Sequence, residues 1–427
     1  MARYENRDLD APSFWEISLD ANALTIQLGR CGHVGLTSTK RFESADEARD
    51  EYDRLVAQKC RNGYRLVTLN EPIRIARNPI LEEAIRAAPV DHLPKRAYAA
   101  WLTEQGDPRG EWIALELADD RDPTARARTT ARLAEHRARY ESQLLGAAFE
   151  YRRVIDVTCR HGFLLDLRIS YGLSSAPGPA IEDLLAEVLA LPVAFAVQRL
   201  ALGGTGRADP ADGRYAAALA VIERIRPPLI ALHLGDVNER DRDDVPHGFL
   251  GDLDRVYPSL AELQALTIRM GTVRFGVPRL ASLRRLELGD GWTSAMLAEI
   301  ASARCDRLDT LVLDAEERDP ADLDALRTAA IPSLRELRIH APDDTLRVVE
   351  LLADSPLAAG LERLHLAHGV LDDEAVDSLI RALGRFSRPK VVNLDGQRGL
   401  SRNGYRRLGT LPYVIFERSR VAGSETD

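Results

Sequence analysis

A six-residue pattern, L-x-x-L-x-L, returns along the chain from about residue 154 to 417, and it constrains the fold more than any other feature. Four copies are clear: Leu283…Leu286…Leu288, Leu308…Leu311…Leu313, Leu334…Leu337…Ile339 and Leu361…Leu364…Leu366. Upstream lie Leu164…Leu167…Ile169, Val197…Leu200…Leu202, Leu229…Leu232…Leu234 and Leu263…Leu266…Ile268, and a degenerate copy follows at Pro389…Val392…Leu394. The nine middle positions are 20 to 34 residues apart. Within each copy the apolar residues alternate with period two, as in a short strand with one buried face. Between copies, the segments 181–191, 215–225, 296–303, 323–329, 346–353 and 375–383 carry apolar residues at three-to-four spacing. That spacing predicts helices, with Thr293, Asp343 and Asp372 at N-cap positions.

A strand and a helix in each such period is the unit of a leucine-rich repeat, and the long helical segments resemble the ribonuclease-inhibitor-like class. One unit cannot bury its apolar face alone, whereas stacked units share a continuous core. The expected fold class is therefore α/β: a leucine-rich-repeat solenoid of about nine repeats over 151–418, with parallel strands on a concave wall and helices on the convex side. The step of 20 residues between 266 and 286 leaves no room for a helix, so a tight turn and a local kink are expected there. Residues 419–427 read as a flexible tail.

The residues beside each middle leucine should point out of the concave wall. Arg285, Glu287, Glu336, Arg338, Arg363 and His365 then form a charged band of both signs. Such a band suits a polar protein partner better than a phosphate backbone, which calls for one sign. In-register Arg–Glu pairing across neighbouring strands is the plainer use of the same residues. His365 and His368 have no third metal-ligating neighbour in the pattern, so no metal is expected.

The N-terminal segment is organised differently. Phe14–Ile17 and Leu24–Leu28 alternate as strands do, and Gly29, Gly32 and Gly35 mark turns. Thr39–Phe42 continues as a strand, and Ser44 with Glu47 makes a capping-box start to a helix that stops at Asn62-Gly63. A last strand runs over 64–67. Over 13–70 this order, carried by FWEI, LTIQLGR-CGHVG, TKRF and SADEARDEYDRLVAQKCRNGY, resembles the WGR domain. That family occurs in DNA-damage-activated poly(ADP-ribose) polymerases and in bacterial proteins of the molybdate-regulator type. In the polymerases it contacts DNA, the motif tryptophan packing on a nucleotide sugar. Here the tryptophan position is Leu28, with Gly29 and Arg30 retained. Leucine lacks the broad ring face used for nucleotide contact, and residues 1–72 hold 10 Lys/Arg against 12 Asp/Glu. Docking within the chain or on a protein is the expected role; Arg30, Lys40 and Arg41 are the nucleic-acid candidates.

Residues 72–150 read as mostly helical. Leu81, Ala84, Ile85 and Ala88 share one face, Pro94 opens a second helix carrying Ala97, Tyr98, Trp101 and Leu102, and 106–110 is a turn by composition. A third helix follows from Glu111. The strings LEEAIRAAP and YAAWLTEQGDPRGEWIALELA resemble the bacterial repeat-companion domain, which implies an N-terminal cap for the repeats. Over 124–140, Arg128, Arg132 and Arg139 share a helical face, a candidate phosphate contact or a solvated face.

Several function classes are disfavoured. The chain has 427 residues and a net charge of −9, which argues against a surface wholly devoted to nucleic acid. Cys31, Cys60, Cys159 and Cys305 are far apart, so reduced and mostly buried thiols are expected. No apolar leader or 18-residue apolar run occurs, which points to a soluble cytoplasmic protein. The glycines at 203–206 lack the rest of a phosphate loop, and the Asp243-Asp244 and Asp372-Asp373 pairs read as linker and helix-start residues. The expectation is a non-enzymatic interaction scaffold with no cofactor, no small-molecule substrate and an unidentified protein partner; a nucleic-acid-linked sensor is the alternative.

Overall fold

The structure is a computed structural model that describes residues 2–6, 12–30, 35–67, 75–118, 122–171, 179–204, 214–236, 249–269, 272–289, 291–303, 305–316 and 318–416. Cys31, Gly32, the end of the 203–206 loop, Asp243-Asp244 and the 419–427 tail lie outside them. The chain divides into one unit of residues 1–81 and 91–144 and another of residues 82–90 and 145–427.

The first unit begins with five strands and a helix: β1 (Ala2–Asn6), β2 (Ser13–Asp20), β3 (Ala23–Arg30), β4 (Leu36–Arg41), α1 (Ala45–Arg61) and β5 (Arg65–Val67). The strands form one antiparallel sheet in the order β4-β3-β2-β1-β5. Trp15, Ile17 and Leu24 are buried on one face against Tyr52, Leu55 and Val56 of α1. Ser44 caps α1, accepting from the Glu47 amide at 3.1 Å. The sequence pattern does not announce β1, whose five residues ARYEN are mostly polar; its place is set by pairing with β2 and β5. Two glycines hold a tight crossing here. A Cβ on Gly35 would lie 2.6 Å from the Leu28 carbonyl oxygen and 2.7 Å from Phe14 Cζ.

Helix α2 (Pro79–Ala87) straddles the division after Leu81, and the first unit continues with α3 (His92–Glu104), α4 (Arg109–Glu116) and α5 (Pro123–Leu145) up to Leu144. Helix α3 starts before the expected Pro94, because Asp91 caps it at the Leu93 amide (2.9 Å) and proline is tolerated in a first turn. The expected turn before α4 also forms an internal clasp. Asp107 and Arg109 are fully buried and paired at 2.7 Å. Asp107 accepts from the Ala76 amide at 2.8 Å, and Arg109 donates to the Ala76 carbonyl.

The second unit contains α6 (Ala147–Glu150), β6 (Ile155–Arg160), β7 (Phe163–Ile169), α7 (Ile181–Ala190), β8 (Arg199–Leu202), α8 (Arg214–Ile225), β9 (Ala231–Leu234), β10 (Phe249–Asp252), β11 (Ala265–Ile268), β12 (Thr272–Arg274) and β13 (Arg285–Leu288). It goes on through α9 (Ser294–Ser302), β14 (Thr310–Asp314), β15 (Glu336–His340), α10 (Thr345–Ala353), β16 (Arg363–His365), α11 (Val376–Leu383), β17 (Val391–Asn393), α12 (Arg402–Leu408) and β18 (Val414–Ile415). Eleven of these strands form one sheet in sequence order, and every neighbouring pair is parallel except the β6–β7 hairpin. The protein is thus mixed α/β with a large, mainly parallel sheet. The nine middle positions stand in one register, from Leu167 opposite Leu200 through to Leu364 opposite Val392. None of them is more than 2% exposed. Burial of one such leucine contributes about 1.5–3 kcal/mol, so the aligned row is the spine of this core.

Three local expectations change. Residues 320–327 wind as a 3₁₀ helix rather than an α-helix, with Asp319 capping the Ala321 amide at 2.8 Å. The cap of α10 is Asp344, which accepts from the Arg347 amide at 2.8 Å, not Asp343. The short step between 266 and 286 holds a strand, β12, paired with β10 in a separate two-stranded sheet. The long sheet passes that point unbroken, Leu266 lying opposite Leu286.

Candidate functional site

Each strand of the long sheet buries its leucines on one face, so the residues on either side of a middle leucine occupy the other. Strand β13 contributes Arg285 and Glu287, β15 contributes Glu336 and Arg338, and β16 contributes Arg363 and His365. Between them β14 contributes Thr310 and Val312. All six residues of the charged band therefore share one face of neighbouring strands.

Side-chain geometry then separates the two signs. Glu336 accepts from Arg338 Nε and from Arg363 Nε, each at 2.6 Å, with His365 Nε2 at 3.8 Å. Glu287 accepts from Arg285 Nη2 at 2.8 Å and from Arg269 Nε at 2.9 Å. The carboxylates lie beneath their partners: Glu336 and Glu287 side chains are 8% and 13% exposed, while Arg338, Arg363, Arg285 and Arg269 are 46%, 42%, 40% and 58% exposed. Burial pushes both glutamates up, but the arginine hydrogen bonds outweigh it and hold both carboxyls below their usual range. Each cluster is one buried anion under two solvated cations, a net charge of +1. Sequence reasoning missed Arg269. It follows the third apolar position of its copy, not the middle one, and only the bond to Glu287 in the next strand reveals it.

A second feature lies at the start of the sheet. There a depression of about 330 Å³ is lined by Asp156, Asp166, Arg168, Arg199 and His233 over a floor that includes Ala201, Ala231 and Ala265. Three alanines in adjacent strands leave the space. The charges pair off locally: Arg168 with Asp236 at 2.5 Å and Asp156 at 3.3 Å, Arg199 with Asp166 at 2.6 Å. Burial holds His233 below its usual pKa.

The nucleic-acid candidates are dispersed. Arg30 ends β3 opposite Ser13, whereas Lys40 lies opposite Leu24 and Arg41 opposite Ala23. Six residues of β3 separate these positions, roughly 20 Å of strand. Lys40 lies over the Phe42 ring at 4.7 Å. Leu28 is 47% exposed and paired with exposed Leu36. On α5, Arg132 is paired with Glu111 at 2.5 Å, Arg139 stands over the Tyr140 ring at 5.1 Å, and Arg128 is exposed. The inner side of that helix is committed to α4, through Arg137 to Glu116 and His136 to the Pro108 carbonyl at 2.7 Å.

Cys60 is exposed and Cys159 half-buried, contrary to the expectation of mostly buried thiols; Cys305 is buried. Cys60 sits at the solvent side of α1, which the apolar spacing alone did not show. Among the described residues, no group of three or more His, Cys, Asp or Glu could hold a metal ion, and no helix is long and apolar enough to cross a membrane.

Residues 3–71 match the family model of the WGR domain, so the N-terminal sheet and helix are a WGR domain, beginning at β1. None of the curated proteins compared with the chain matches it. A crystal structure of a Bacteroides fragilis protein superposes with a TM-score of 0.48 at 16% identity, covering 97% of this chain and 94% of that one.

Proposed function

We propose that the chain is a non-enzymatic, cytoplasmic interaction scaffold of the leucine-rich-repeat type, with its helical 72–150 segment acting as a repeat-companion cap and a protein partner held on the concave wall of the solenoid. The observation that carries the reading is the open face of the long sheet. There, polar side chains at recurring register positions project from an aligned leucine core, a rigid scaffold of the kind that repeat proteins use for extended binding surfaces. Affinity capture from the native host with the intact protein and with Arg338→Glu plus Arg363→Glu tests it. The double variant should lose the partner; equal recovery would refute the assignment of the wall.

A second reading rests on the WGR match. In the poly(ADP-ribose) polymerases that domain contacts DNA; Arg30, Lys40 and Arg41, with Arg128 of α5, would be the contacts here. Titration with nicked and intact DNA at two salt concentrations tests it, since phosphate contacts strengthen as salt falls. Absence of binding at low salt would end that reading.

A further inference from the structure

We propose that the partner segment held on this wall is an extended acidic peptide, its carboxylates seated on the Arg269–Arg285 and Arg338–Arg363 pairs. This rests on the protein-binding reading above and adds the chemistry of what is bound.

The argument begins with the exposed charge. Four guanidinium groups share two carboxylates, Glu287 and Glu336, and the carboxylates are the buried members. At these two clusters the face therefore exposes guanidinium groups far more than carboxylates. Arg338 and Arg363 bond Glu336 through Nε, which leaves terminal N–H donors for a second carboxylate. A guanidinium fork matches a carboxylate in geometry as well as charge.

Spacing follows from the sheet. Arg269 directly follows β11 and Arg285 opens β13, and the Arg338–Arg363 pair spans β15 and β16. Their centres are three ladder steps apart, roughly 14 Å at ~4.8 Å per step. Four residues of extended chain cover about that distance, and residues i and i+4 of such a chain point the same way. Between the pairs, β14 presents uncharged Thr310 and Val312, and at its end Asp314, half-buried beside His340 at 3.6 Å. The matching segment has acidic residues four apart.

The flanking depression sets the limit of the segment. There Asp156, Asp166 and Asp236 stand against Arg168 and Arg199, so a polyanion continuing in that direction would meet carboxylates. A nucleic-acid strand, charged at every residue, fits this pattern poorly; a short acidic stretch followed by an uncharged residue over Ala201, Ala231 and Ala265 fits it well.

The test uses the full chain and three fluorescein-labelled probes in anisotropy titrations: a Gly/Ser peptide of about ten residues bearing two aspartates four apart, the same peptide with asparagines, and single-stranded DNA of equal length. The aspartate peptide should bind at least about tenfold tighter than the asparagine peptide. Arg338→Gln plus Arg363→Gln should abolish that difference, and Arg132→Gln should leave it intact, with thermal melts showing each variant folded. Equal binding of the two peptides, or DNA binding that depends on the same arginines, would overturn the proposal. If the aspartate peptide fails while the captured host partner still requires Arg338 and Arg363, the acidic-segment proposal falls and the protein-binding reading stands. If no partner depends on them, both fall.

Discussion

Two arginine–carboxylate sites in this protein use the same chemistry for opposite ends. At Asp107–Arg109 both side chains are fully buried; they bond each other and the Ala76 backbone, and Arg109 Nη1 is left buried without a hydrogen-bond partner. At Glu336 only the carboxylate is buried; Arg338 and Arg363 remain over two-fifths exposed. The first site is a buried staple between the turn before α4 and the Ala76 backbone. The second is a buried anion on which two half-exposed cations are held. The sign of a surface thus depends on which member of a pair lies underneath, which a count of residues does not reveal.

That contrast can be broken or sharpened by substitution. Arg109→Ala strands a buried carboxylate and should cost about 3–5 kcal/mol in denaturant unfolding of the first unit. A loss under about 1 kcal/mol would mean that the pair is not closed. Leu337→Ala, in the aligned core beneath the second site, should cost about 2–5 kcal/mol by the same assay. Acid should act next. Glu287 and Glu336 are held below their usual pKa, so they contribute stability above the unfolded carboxyl value, about 4.3, that is lost as pH falls through the folded value. His233 is also lowered, but as a base. Its penalty is absent above about 6.5 and grows as pH falls below that. Melting temperature should therefore begin to fall below about pH 6.5 and fall faster below about pH 4.5. Glu287→Gln plus Glu336→Gln should flatten the second step and leave the first. The smallest effect is Arg338→Ala, which removes a half-exposed cation and should change stability by less than about 1 kcal/mol. A much larger loss would make the wall a staple like the first site.

The repeat positions were legible because a period-two apolar pattern at a recurring interval is compatible with few folds, and all nine middle positions fall in one register of the long sheet. The strands at its two ends, β6 and β18, lie outside that pattern and join it only through pairing. Strand β1 is hidden in the sequence for the same reason. Six residues of the candidate face could be named from the alternation alone. Arg269 could not, because its role lies in a contact between strands, nor could the depression, because three alanines become a space only once β8, β9 and β11 are adjacent. Asp107 and Arg109 read as part of a turn by composition, and nothing local shows that two charged residues are buried together.

Arginine accessibility tests the central claim most directly. Phenylglyoxal labelling of the full chain, mapped by mass spectrometry, should modify Arg269, Arg285, Arg338 and Arg363 readily while sparing buried Arg109. The aspartate peptide should protect those four and leave Arg128 and Arg132 unchanged. Equal labelling of the four with and without the peptide, or protection at Arg128 and Arg132 instead, would contradict the account.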